Sequence, residues 1–369
     1  MSSATSSLPP IGMQARGDVA DDGMSMSRRS KNTDVTLREV AARCGVSMMT
    51  VSNVINGRFD QMRDETRRRV EQAIRTLNYV PNAPAKSAQP SGRLSISVVV
   101  VDGNNPDFLA TPCHTYIFAG MTSVLNEHGI SITFQGVAHA ALLASLKSRA
   151  IGADGLCIAQ SGTKMQRRVI LDELADLGVP CVLLHEHAVP TDLDVCGIRV
   201  DDKRGGQLIG EHLIERGCRR ILLLLPAVHW CSIEERRLGV EWACRNADTE
   251  LTVLRSRSLN VEDVGTTLQG YIQTHDLPDA IACCNDQAAM AALVYLNQRG
   301  VNVPDKVRVT GFNQFEFCKY SDRSPTTVRT RSPEMGTRAA EELVRRLTLG
   351  HFSSRDIVMP VSLVQGQTT

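Results

Sequence analysis

The chain of 369 residues reads as a multidomain protein, an all-α helix-turn-helix headpiece followed by an α/β body of two doubly wound parallel-sheet lobes. Three observations predict this. The stretch "VTLREVAARCGVSMMTVSNVINGR", Val35 to Arg58, places apolar residues at helical spacing around a central glycine. Positive charge is concentrated near the start of the chain. From Leu94 onward, continuous apolar runs alternate with helical stretches. The length also exceeds what one core organises and suits a small module joined to one or two α/β domains.

Residues 1–33 are rich in Ser and Met and lack an apolar run, so they read as a disordered tail, neither signal peptide nor anchor. Nowhere does an apolar run reach the roughly eighteen residues of a membrane span, and the chain reads as cytoplasmic. Residues 34–80 form the headpiece. Leu37, Val40 and Ala41 share one face of a first helix; Val51, Val54 and Ile55 share one face of a second. Gly45 supplies the freedom at positive φ that a tight turn needs, and Ser47 stands where an N-cap hydroxyl satisfies free amides. A third helix, with Asp64 expected as its cap, carries Val70, Ile74 and Leu77 and closes a miniature core.

Residues 28 to 93 hold thirteen Lys and Arg against six Asp and Glu, a net of +7 in a chain whose total is +1. Residues 94 to 369 carry a net of −4. A basic head on an acidic body is the electrostatic footprint of a protein that lays one end on phosphates.

In the body, "LSISVVVV", "ISITF", "DGLCIA", "CVLLHE", "RILLLLP", "AIACCN" and "KVRVTGF" are strands buried on both faces. Helices between them imply parallel sheets, with ligands collecting beyond the carboxyl ends of the strands. The alternation starts afresh after Val195 to Val200, which divides residues 94–369 into two lobes with a cleft between them. Motifs of serine hydrolases, phosphate loops, zinc peptidases and dinucleotide binding are all missing, so neither an enzyme nor a cofactor is expected. His185 and His187 flank Glu186 at a strand end; a polar edge of the cleft explains them better than a metal. The eleven cysteines follow no metal-ligand spacing and read as reduced, mostly buried thiols, with a redox sensor as the alternative.

Together these segments resemble the lactose-repressor and galactose-repressor family of bacterial transcription regulators, collinearly from about Val35 to Val364. "TLREVAARCGVSMMTVSNVING" resembles the family's headpiece, and "LNYVPNAPAKS" the start of its hinge, placed at 81–93. "ADGLCI" and "GVPCVLL" resemble its first lobe, "VDDKRGGQLIGEHLIERGCRRILLL" its most recognisable body segment, and "IACCNDQAAMAALVYLNQRGVNVPDKVRVTGFNQ" its second lobe. "SPTTV", Ser324 to Val328, resembles the stretch where that family's chain crosses back between lobes, near 325–330.

The resemblance implies a periplasmic-binding-protein-like body that senses a small molecule. It implies a homodimer, or two such dimers paired as a tetramer, on pseudo-palindromic double-stranded operator DNA. The second helix would enter the major groove, with Met48, Met49 and Asn53 against base edges. Ser47, Thr50 and Ser52 would offer hydroxyls to phosphate or base, and Arg67 and Arg68 charge to the backbone; Thr36 and Asn56 complete the headpiece set. Effector residues carried over by position are Phe108, Arg236, Asn285 and Asn313. An aromatic face, a guanidinium fork and two amides describe a small, polar, ring-like ligand such as a sugar, sugar acid or nucleobase.

Three departures stand out. Many relatives carry Arg where Asn53 stands, so base preference cannot be copied from them. At the hinge position usually held by a minor-groove Leu stands Ala88, followed by Pro90, which puts the DNA kink in doubt. Asn313 replaces a frequent Asp, and an anionic ligand would gain from that lost charge. Two other readings stay alive, a DNA-binding regulator without a ligand and a hydrolase on the same scaffold, the latter weakened because no carboxylate pair is expected in the cleft.

Overall fold

Backbone hydrogen-bonding needs and the apolar runs together produce two parallel sheets and a separate trio of helices. The computed structural model describes residues 37–55, 62–77, 94–101, 111–148, 152–187, 189 and 193–369. The tail 1–33, the hinge 81–93 with Ala88 and Pro90, Thr36, Asn56 and Phe108 lie outside the described residues. By contacts, the chain divides into two compact units, Met1–Asn82 and Ala83–Thr369.

In the first unit, α1 (Leu37–Cys44), α2 (Met48–Ile55) and α3 (Asp64–Thr76) enclose Val40, Ala41, Cys44, Val51, Val54, Val70 and Ala73. Gly45 turns the chain at φ +63°. The Thr50 amide donates to Ser47 Oγ at 3.1 Å, so Ser47 does cap α2. At α3 the capping residue differs from the expectation. The amides of Thr66 and Arg67 donate to the carbonyl of Arg63, which makes Arg63 the cap and Asp64 the first helical residue. There its carboxylate still meets the positive end of the helix dipole.

The second unit opens with β1 (Ser95–Val101), α4 (Pro112–Glu127), β2 (Ser131–Val137), α5 (His139–Lys147), β3 (Gly155–Gln160), α6 (Lys164–Leu177), β4 (Cys181–Leu184) and β5 (Val195–Val200). The second lobe holds α7 (Asp202–Glu215), β6 (Arg220–Pro226), α8 (Cys231–Asn246), β7 (Glu250–Ser256), α9 (Val261–Ile272), β8 (Ala280–Cys283), α10 (Asp286–Gln298) and β9 (Arg308–Thr310). After these come β10 (Thr327–Arg329), α11 (Ser332–Leu349), β11 (Asp356–Met359) and β12 (Ser362–Val364).

The first sheet has the order β11-β5-β4-β3-β1-β2 and the second β7-β6-β8-β9, and every pairing in both is parallel. Strands β10 and β12 pair antiparallel beside the second sheet. The chain therefore crosses between lobes three times, after β5, between β10 and α11, and between β11 and β12.

One packing contact sets the geometry of the cleft. Helices α7 and α8 lie against each other through Gly206 and Gly239. A methyl group on Gly206 would sit 2.1 Å from the Arg236 carbonyl oxygen, and one on Gly239 would sit 2.1 Å from that of Lys203. Only glycine permits this approach. It holds the first turn of α7, with Asp202, against the second turn of α8, with Arg236. Among the described residues, no helix is long and apolar enough to cross a membrane.

Candidate functional sites: a reading helix and an inter-lobe cleft

On α2 the inward side chains Val51 and Val54 are buried, whereas Met48 is 53% and Met49 72% exposed. Asn53 is half-buried. The Ser47 and Thr50 hydroxyls bond each other at 2.9 Å beside the cap. Of the arginines, Arg67 pairs with Glu71 at 2.8 Å along α3, while Arg68 projects exposed. Ser52 lies within α2.

In the body, strand ends deliver polar groups to the cleft. Arg236 is buried and fully engaged. Its Nε donates to Asp202 Oδ1 at 2.8 Å, one Nη to the Cys284 carbonyl at 2.8 Å and the other to Asn313 Oδ1 at 3.4 Å. Its guanidinium lies 3.8 Å from the centre of the Phe312 ring. Asn313 holds a backbone φ of +108°, and His185 one of +60°. Such conformations cluster where a fold is constrained for function. Asn285 caps α10, its side-chain oxygen accepting the Ala288 amide at 2.9 Å.

Asp202 is the group that sequence reasoning missed. It is wholly buried. Burial alone would push its carboxyl up, but the Arg236 guanidinium, with the His187 imidazole nearby, outweighs that and holds it below the usual carboxylate range. Burial pushes the His185 imidazole down to about 4, so it is neutral near pH 7. Among the described residues, Asp202 Oδ2, His187 Nε2, His185 Nδ1 and Gln160 Oε1 are buried with no hydrogen-bond partner. Buried polar atoms left in this way call for a partner from outside the chain, an ordered water or a polar ligand. His187 Nε2 and Asp202 Oδ2 face each other across the lobes at 3.8 Å.

The lobes also meet at the margins of the cleft. Gly162 N donates to the His229 carbonyl at 2.7 Å, and Tyr116 stacks on Phe315 with ring centres 5.2 Å apart. All eleven cysteines are free and nine of them are buried; Cys113 and Cys231 are half-buried. No group of three or more His, Cys, Asp and Glu among the described residues is arranged to hold a metal ion.

Known proteins share this plan. The family described as "Bacterial regulatory proteins, lacI family" matches residues 36–82, and "Periplasmic binding protein-like domain" matches residues 211–369. The HTH-type transcriptional repressor PurR of Mannheimia succiniciproducens is 28% identical over 322 residues, 85% of this chain and 92% of the relative. The HTH-type transcriptional regulator CelR of Thermobifida fusca is 29% identical over 329 residues, 88% of this chain and 94% of the relative. A solved complex of the transcriptional regulator CelR with cellobiose superposes with a TM-score of 0.65 at 27% identity, covering 91% of this chain and all of that one. A helix-turn-helix module on a two-lobed body with orphaned polar groups in its cleft defines a DNA-binding transcriptional regulator with an effector domain. A headpiece matched by the lacI family of bacterial regulatory proteins is joined in this chain to a periplasmic-binding-protein-like domain, and its homologues include the regulators PurR and CelR.

Proposed function

We propose that the protein is a cytoplasmic, homodimeric repressor whose hold on a pseudo-palindromic operator is set by a small, neutral, polyhydroxylated ligand in the inter-lobe cleft. The observation that carries the ligand class is the buried Asp202–Arg236 pair. Asn313 by itself leaves the cleft short of a carboxylate, which favours an anion. Asp202, 2.8 Å from Arg236, supplies that charge from another element. An anionic ligand approaching Arg236 would meet a guanidinium already neutralised and a carboxylate beside it. A neutral ligand's hydroxyl fits instead, donating to Asp202 Oδ2 while accepting from His187 when its Nε2 carries the proton. Neutral His185, close to Asp202, extends the same array.

Calorimetry on the full chain with neutral mono- and disaccharides, aldonic acids and purine bases tests this. Heat is expected from neutral compounds, with release or tightening of a selected operator at the same concentration. Arg236→Ala should abolish the response and leave unliganded operator binding intact. A response confined to acids would overturn the neutral class, and silence from every compound would favour a ligand-independent regulator.

A further inference from the structure

Helix α2 is built from eight residues, "MMTVSNVI", none of them charged. Val51 and Val54 face the small core, and the Ser47 and Thr50 hydroxyls are used on each other. Among the described side chains of α2, the large ones left to the outside are Met48 and Met49, side by side and mostly exposed. Neither can donate a conventional hydrogen bond, and a thioether is at best a weak acceptor. Both are flexible and polarisable, which suits them to apolar contact on an uneven surface. Of the four bases, only thymine presents an apolar group, its C5 methyl, in the major groove.

We propose that Met48 and Met49 read pyrimidine C5 methyl groups in each operator half-site, so that at these positions the headpiece recognises a methyl group rather than a hydrogen-bond pattern. This rests on the reading of α2 as the groove-entering helix. It follows that the base itself is secondary at these positions. A 5-methylcytosine there should satisfy the same contact as thymine, making the site sensitive to cytosine-5 methylation.

The test begins with selection of bound duplexes from a random pool by the full-length protein. Thymines of the selected site are then replaced one at a time by deoxyuridine, which removes the methyl and keeps the base pairing. Loss of each contacted methyl should weaken binding about fourfold, the burial of one such group. At the same positions, 5-methylcytosine should bind more tightly than cytosine by a similar factor. Met48→Ala and Met49→Ala lie on the exposed face, so their folding is readily checked by circular dichroism, and each should lose its share of the discrimination. Uracil without effect at every position would overturn the proposal, as would a penalty that persists in both variants. Failure to select any sequence would instead overturn the reading of α2 on which the proposal rests.

Discussion

Replacing Asp202 by Asn leaves Arg236 buried with no countercharge. Asp202 is 0% and Arg236 6% exposed, so solvent screens little of the interaction. Removing one partner of such a pair typically destabilises by about 3 to 5 kcal/mol. The guanidinium retains the Cys284 carbonyl at 2.8 Å and the face of Phe312 at 3.8 Å, and Asn can still accept one hydrogen bond. The lower end of that range, about 3 kcal/mol, is therefore expected. With a slope of about 3 kcal/mol per M for a body this large, the urea midpoint should fall by roughly 1 M. The two tryptophans, Trp230 and Trp242, both flank or lie within α8 and Trp230 also packs on the first lobe, so their fluorescence follows the two-lobed body without contribution from the headpiece. The measurement belongs near pH 7. A depressed carboxyl contributes its stability above the unfolded value and loses it only as pH falls through the lower folded one. Arg236→Met keeps a chain over Phe312, and the double variant Asp202→Asn/Arg236→Met should recover to within about 1 kcal/mol of wild type, because neither charge remains. Unfolding of Asp202→Asn at the wild-type midpoint, or a double variant worse than both singles combined, would refute the ion-pair account.

The remaining predictions concern packing, pH and the hinge. Gly206→Ala drives a methyl into backbone and should destabilise the second lobe by roughly 1 to 3 kcal/mol; by shifting Asp202 from Arg236 it should also weaken effector binding, which calorimetry reads. Burial pushes the Asp286 carboxyl up to about 6, so the folded protein keeps a proton that the unfolded chain releases, and roughly 3 kcal/mol should be lost as pH rises from about 4 to about 6. Asp286→Asn should flatten that slope in urea titrations at the two pH values. Ala88→Leu should tighten operator binding by on the order of 2 kcal/mol per subunit and increase the bend measured on permuted fragments; strong bending by the wild type with no gain from Leu would end this view of the hinge.

How far the fold is legible in the sequence depends on burial. Strands β1, β3, β4, β6 and β8 are buried along almost their whole length, and their apolar runs announce them. Strand β7, at a sheet edge, alternates irregularly between exposed and half-buried positions, so its sequence, ELTVLRS, passes for a loop. Strands β10 and β12, three residues each, depend on one another for their pairing, and no local pattern reveals a partner that far along the chain. In the cleft, Arg236 and Asn313 do come together, but Asn285 contributes to its own helix, and Arg236 instead meets the carbonyl of the preceding Cys284.

Asp202 shows why a site can be half legible. In "VDDKRGG" one carboxylate is needed to cap α7, and that is Asp201, whose Oδ1 accepts the Arg204 amide at 3.1 Å. With the cap satisfied, the second Asp has no local duty, and its position as the first residue of α7 turns it inward, where the helix dipole also favours a negative charge. The signal was therefore present as a redundancy, two acids where one suffices. The glycines that follow belong to the same device, since Gly206 lets α8 come close enough for Arg236 to reach Asp202. The carboxylate thus stands immediately after the first crossing between lobes, facing His187 of the other lobe, so anything bound between the two registers the lobes against each other. On the reading proposed above, a ligand held by Asp202 and His187 together would favour whichever arrangement of the lobes lets both reach it, so ligand binding and lobe arrangement would be parts of one equilibrium.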